Sequence, residues 1–122
     1  MHTIRTLLLV EDDPLVRSSL AEALADAGYQ VLEAPDAEAA LDMVASRDDL
    51  SVMLTDINLP GADGFALARA ARRLRPRLPV VYASGRAREA DRRRALPGTI
   101  FLAKPFSLAN AIATLEGVIA AA

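Results

Sequence analysis

The chain has 122 residues, is 52% hydrophobic and 25% charged, and carries a formal net charge of −2. That length fits one domain with a core of its own, and the absence of cysteine excludes disulfide frameworks, thiolate metal sites and cysteine nucleophiles. The only histidine is His2, so a histidine triad, a His-ligated zinc site and a core phosphohistidine are all excluded as expectations. Chemistry here has to run on carboxylates, hydroxyls, amines and backbone groups.

In chain order, Thr6–Val10 is a nearly continuous apolar run, the pattern of a strand buried on both faces. Asp13-Pro14 reads as N-cap and N1 of a helix with Leu15, Val16, Leu20, Ala23, Leu24 and Ala27 inward, closed by Gly28. Tyr29–Glu33 alternates as an edge strand does, and Asp36 caps a second helix with Ala37, Ala40, Leu41 and Val44 inward. Ser51–Thr55 is the third strand; a Pro/Gly-rich loop from Asp56 to Gly64 leads into a helix over Phe65–Leu74. Beyond Pro76 and Pro79, Val80–Ala83 form a fourth strand, Arg86–Ala95 a polar helix and Pro97-Gly98 a turn. Thr99–Ala103 is the fifth strand, and Ser107 caps a last helix with Leu108, Ile112, Leu115, Val118 and Ile119 inward. Five strand–helix units without a long linker predict a single α/β domain: a doubly wound parallel sheet with helices on both faces.

The charge is uneven. Residues 1–63 hold 13 acids and 3 arginines, whereas residues 64–122 hold 3 acids and 11 bases. Arg69, Arg72, Arg73, Arg75 and Arg77 gather round a predicted helix end, where cations suit the carbonyl dipole. Aromatic residues are too few for a base-stacking platform, so the basic half reads as solvated surface and no direct nucleic-acid binding is expected. The apolar run Leu7–Val10 is far too short for a signal peptide or a membrane span. A soluble, cytoplasmic protein without membrane association is expected.

Ligands of open α/β sheets lie outside the carboxyl ends of the strands. There the chain places Glu11 and Asp12 after the first strand, Asp56 at the third, Ser84 at the fourth and Lys104 at the fifth. If the strand order is 2-1-3-4-5, these four strands are neighbours and their side chains converge. Carboxylates so gathered need a cation, and oxygen donors without imidazole or thiolate select a hard one, Mg2+ before Mn2+ or Ca2+. An aspartate can attack phosphorus to form an acyl phosphate. Lys104, the only lysine beside thirteen arginines, and Ser84 stand where the new charge needs neutralising. Asp13 is better explained as the helix cap, while Asp12 has no comparable structural duty.

Four stretches carry a family resemblance: Leu7-Leu8-Leu9-Val10-Glu11-Asp12-Asp13-Pro14, Leu54-Thr55-Asp56-Ile57-Asn58-Leu59-Pro60-Gly61-Ala62-Asp63-Gly64, Pro79-Val80-Val81-Tyr82-Ala83-Ser84-Gly85 and Lys104-Pro105-Phe106. In this order they resemble the receiver domain of two-component response regulators, over essentially the whole chain. The resemblance implies one receiver domain over residues 1–122, of the stand-alone type, with flavodoxin-like strand order 2-1-3-4-5. It implies that Asp56 accepts a phosphoryl group from a sensor histidine kinase or a histidine phosphotransfer protein. It further implies that Asp12 ligates Mg2+ directly, that Glu11 acts through water, and that Asn58 offers its backbone carbonyl. It also implies that Lys104 pairs with the phosphoryl group, that Ser84 is the switch hydroxyl and Phe101 the switch aromatic, and that Lys104–Pro105 is a candidate cis peptide. The implied output is a changed surface of the fourth strand, fourth helix, fifth strand and last helix, read by a downstream protein or a second copy. A monomer or a weak phosphorylation-dependent dimer is expected.

Two features depart from the family pattern. Ser84 to Lys104 spans 20 positions, about two fewer than usual, with the shortening around Arg92–Gly98. Phe101 also lacks the hydroxyl of a tyrosine. Two rival readings fit poorly. A Mg2+-dependent phosphohydrolase wants a carboxylate two residues after its nucleophile, where this chain has Asn58, and a flavodoxin-type nucleotide binder wants a Gly- or Ser/Thr-rich loop where it has Glu11-Asp12-Asp13-Pro14.

Overall fold

The computed structural model describes residues 4–85 and 89–122. Its elements alternate strictly: β1 (Thr6–Val10), α1 (Pro14–Asp26), β2 (Gln30–Ala34), α2 (Ala37–Ser46), β3 (Leu50–Asp56), α3 (Gly64–Leu74), β4 (Val80–Ser84), α4 (Glu89–Arg94), β5 (Ile100–Ala103) and α5 (Leu108–Ala120). All strands are parallel, in the order β2-β1-β3-β4-β5. This is the doubly wound, flavodoxin-like arrangement that the alternating pattern predicts.

Central strands bury both faces, so their side chains divide between two cores. On one face Leu8, Val10, Met53, Val80 and Tyr82 pack with Phe65, Leu67 and Val44. On the other, Leu7, Leu9, Val52, Leu54 and Val81 pack with Leu24, Leu115 and Val118. A fully buried leucine contributes about 1.5–3 kcal/mol. The short apolar runs at Leu7–Val10 and Val52–Leu54 therefore hold much of the fold's driving force.

Helix starts follow the expected caps. Asp13 accepts hydrogen bonds from the Leu15 and Val16 amides, Asp36 from Ala39 and Ser107 from Asn110. Gly28, at φ 106°, occupies the left-handed position that ends α1.

The inward faces of two helices need correction. Leu15 and Val16 are 81% and 47% exposed and Ala27 is also exposed, whereas Ala21, left out of the expected stripe, is buried with Leu24. Neither Leu15 nor Val16, in the first turn of α1, belongs to either of the two cores. Leu108 is likewise 40% exposed while Ala111 is buried. The edge strand lies one residue later than expected. The fourth helix is described from Glu89 to Arg94, and the residues 86–88 expected to begin it lie outside the described residues, as does His2.

A carboxylate cluster at the strand ends

Parallel strands end on the same side, and here that side is acidic. Glu11 follows β1 immediately, and its N–H donates to the Ala34 carbonyl (3.1 Å), continuing the ladder by one residue. Its carboxylate turns back to accept the Asp13 N–H (3.1 Å). Asp56 closes β3, with Oδ1 accepting the Asn58 N–H at 3.2 Å and Oδ2 lying 3.2 Å from Lys104 Nζ. Lys104 Nζ is also 3.7 Å from Glu11 Oε2. One carboxylate oxygen from each of Glu11, Asp12 and Asp56 falls within 4.8 Å of the others, and Asp13 stands outside this group as a helix cap.

The electrostatics fit a cation. Burial pushes the Glu11 carboxyl above its usual range, the Asp56 charge and the hydrogen bond to Asp12 act in the same direction, and the Asp13 amide and Lys104 oppose them. Two of the three carboxylates, those of Glu11 and Asp56, share the Lys104 ammonium. The donor set, all oxygen with neither imidazole nor thiolate, fits a hard divalent ion, Mg2+ first. Glu11 and Asp12 would hold it together with Asp56, whose carboxylate the Asn58 amide already anchors.

The other expected residues lie at this rim or, for Phe101, two positions below it on β5. Ser84 ends β4 and is buried, and its carbonyl accepts the Lys104 N–H (2.8 Å), which aligns β4 and β5 at the site. The Lys104–Pro105 peptide is cis. Phe101 is half-buried on β5, its ring centroid 5.2 Å from Tyr82 and 6.1 Å from Phe65. Beside Asp56 and Lys104 opens a cleft of about 450 Å³ walled by Val16, Leu20, Pro105 and Phe106.

Three contributors escaped the sequence reading. Gly64, at the end of the Pro/Gly-rich loop, donates its N–H to the Ile57 carbonyl (2.7 Å), and a Cβ on it would lie 2.5 Å from the Asp56 carbonyl oxygen. That glycine permits the loop after Asp56 to fold back this closely. Arg17 reaches from α1 to the Glu11 carbonyl (Nη1 to O, 2.8 Å) and lies 3.5 Å from Glu33. Its signal was the four-residue spacing from the cap Asp13, which places it over the turn leading out of β1. Tyr82, fully buried, has a hydroxyl with no hydrogen-bond partner among the described residues.

Arg94 links α4 to the loop that leaves Asp56. Its guanidinium sits 4.8 Å over the Phe65 ring and pairs with Asp63, the N-cap of α3. Partial burial pushes the Asp63 carboxyl up, but the Ala66 amide, Arg94 and the Arg69 charge together hold it below its ordinary value.

The family model of the response regulator receiver domain matches residues 7–116. The chain belongs to that family. Such domains are the phospho-accepting modules of two-component signalling and not enzymes in the classical sense. Sensor histidine kinase RcsC of Escherichia coli is 35% identical over 104 residues, covering 84% of this chain and 11% of that protein. Response regulator protein FleR of Pseudomonas aeruginosa is 39% identical over 105 residues, covering 82% of the chain and 21% of that protein. The chain thus spans less than a quarter of the length of either relative. Among solved structures, a response regulator receiver protein from Sinorhizobium medicae superposes with a TM-score of 0.89 at 31% identity, over 97% of this chain and 96% of that one. The receiver domain of the hybrid histidine kinase CckA gives 0.79 at 31% identity, over 93% and 98%. Among the described residues no helix is long and apolar enough to cross a membrane.

Proposed function

We propose that Asp56 is the phospho-acceptor of a receiver unit spanning residues 1–122, and that its donor is the phosphohistidine of a sensor histidine kinase or a histidine phosphotransfer protein. The observation that carries this reading is the convergence of Glu11, Asp12 and Asp56 within 4.8 Å, with Lys104 3.2 Å from the acceptor. A carboxylate oxygen of Asp56 attacks phosphorus. The new P–O bond forms as the P–N bond breaks, and the electron pair returns to the imidazole nitrogen, which takes a proton from water. Mg2+, held by Glu11, Asp12, Asp56 and the Asn58 backbone carbonyl, supplies positive charge to the phosphoryl oxygens when bound.

The chain's own residues do the rest. Lys104 neutralises the charge gained at Asp56, and the Asn58 amide fixes the attacking carboxylate. Through these groups the chain promotes its own phosphorylation and dephosphorylation. Ser84, at the end of β4, turns its hydroxyl toward a phosphoryl oxygen, and Phe101 moves into the space this leaves. The surface of α4, β5 and α5 then changes for a downstream protein partner. The charge and acceptor oxygens that a phosphoryl group adds are the drive for that change.

Incubation with a small acyl phosphate and Mg2+ is expected to add the mass of one phosphoryl group to the parent protein and none to Asp56→Asn. Equal modification of the variant would show that the acceptor lies elsewhere.

A further inference from the structure

Glu11 leaves β1 with every polar group committed. Its amide is tied to Ala34 and its carboxylate to the Asp13 N–H, and its carbonyl oxygen is taken by the Arg17 guanidinium at 2.8 Å. The peptide between Glu11 and Asp12 is planar, so whatever holds its oxygen also sets the direction from which Asp12 departs. Asp12 is exposed and sits at the turn between β1 and α1. The guanidinium is itself oriented from the other side. Its Nε lies 3.5 Å from Glu33, which stands on the edge strand opposite Leu9 in register, and the Arg17 side chain is only 19% exposed. One planar cation thus joins α1, the end of β1 and the end of β2 at the point where the acidic pair begins.

We propose that Arg17 is a positioning residue for metal binding: by holding the Glu11 carbonyl it fixes the peptide that aims Asp12 at the shared carboxylate site. This rests on the reading of Glu11, Asp12 and Asp56 as the metal site. It has a counter-intuitive sign. Arg17 is a positive charge near a cation site, so its electrostatic effect alone opposes the metal, and removing it would tighten binding. A positioning role predicts weaker binding instead. Outer groups that orient metal ligands typically account for about 10- to 100-fold in affinity. The charge effect at an exposed rim is smaller and fades with salt.

Calorimetric titration with Mg2+ alone, in 0.1 M and 0.5 M salt, separates the two. Arg17→Met is expected to raise the Mg2+ Kd about tenfold at both salt concentrations, with smaller amide shifts at Asp12 and Asp13 on titration. Arg17→Lys keeps the charge but lacks the planar fork that spans Glu11 and Glu33. It is expected to raise the Kd at least threefold, with a metal-free melting temperature close to the parent's. A Kd unchanged or lowered in Arg17→Met overturns the proposal. If that variant does not fold, an unchanged Kd in Arg17→Lys overturns it equally. Asp12→Asn serves as the control for the underlying reading. If it binds Mg2+ as the parent does, the site assignment fails. If it loses binding while the Arg17 variants bind normally, only the role of Arg17 fails.

Discussion

The acidic rim and the face under α4 are built on opposite principles. At the rim, directional bonds assign almost every polar group: Glu11 is held through its amide, carbonyl and carboxylate, and Asp56 through Asn58 and Lys104. Under α4, three rings pack by non-directional contact, with Phe65 and Tyr82 centroids 4.9 Å apart, and the Tyr82 hydroxyl is buried without a partner among the described residues. Reaction geometry tolerates little error, so the rim is fixed in place. A surface proposed to adopt a second packing is better served by contacts that can be exchanged and by a polar group left unsatisfied among the described residues. The two regions meet at Asp63, where Arg94 ties α4 to the loop leaving Asp56.

Breaking the rim should have the larger consequences. Asp12→Asn is expected to raise the Mg2+ Kd by tenfold or more. Asp13→Asn should leave it within about twofold, because asparagine caps a helix as well as aspartate does. Calorimetric titration checks both, and equal losses would erase the division between ligand and cap.

Gly64→Ala presses a methyl group against the Asp56 carbonyl, with backbone on both sides of the clash. A stability loss of about 1–3 kcal/mol is expected, as for other overpacked sites. Urea unfolding reads it, and a neutral result would mean that the loop after Asp56 yields more readily than the rest of the rim.

Under α4 the signs and sizes change. Tyr82→Phe should stabilise the protein by about 1 kcal/mol, since it removes a buried hydroxyl that forms no hydrogen bond among the described residues. Destabilisation of that size in the same unfolding measurement would show that the hydroxyl has a partner and that this face is as saturated as the rim. The smallest effect is expected from Arg94→Met. Its exposed ion pair and its contact with Phe65 are together worth about 1 kcal/mol or less. Amide exchange in α4 should quicken while Mg2+ affinity stays unchanged. A parallel loss of affinity would instead couple the two regions in the resting state.

Local chemistry determined a large share of this protein. The apolar run Leu7–Val10 becomes a doubly buried strand because nothing in it can face water, and Asp13, Asp36 and Ser107 start helices because a short oxygen-bearing side chain satisfies amides the helix cannot. The site types were equally legible, since Glu11, Asp12, Asp56, Ser84 and Lys104 all follow or end apolar runs. Tertiary structure decided the remainder. Only the order β2-β1-β3-β4-β5 brings Lys104 to Asp56, 48 positions earlier in the chain. The exposure of Leu15 and Val16 depends on where α1 lies over the sheet, which helical periodicity does not encode. Gly64, Arg17 and Tyr82 matter through groups that no local pattern reveals: the missing Cβ faces a carbonyl eight residues back, the guanidinium spans two strand ends, and the Tyr82 ring packs between Phe65 of α3 and Phe101 of β5. Sequence patterning reports what each residue prefers among its chain neighbours, and these three are defined by neighbours that only packing supplies.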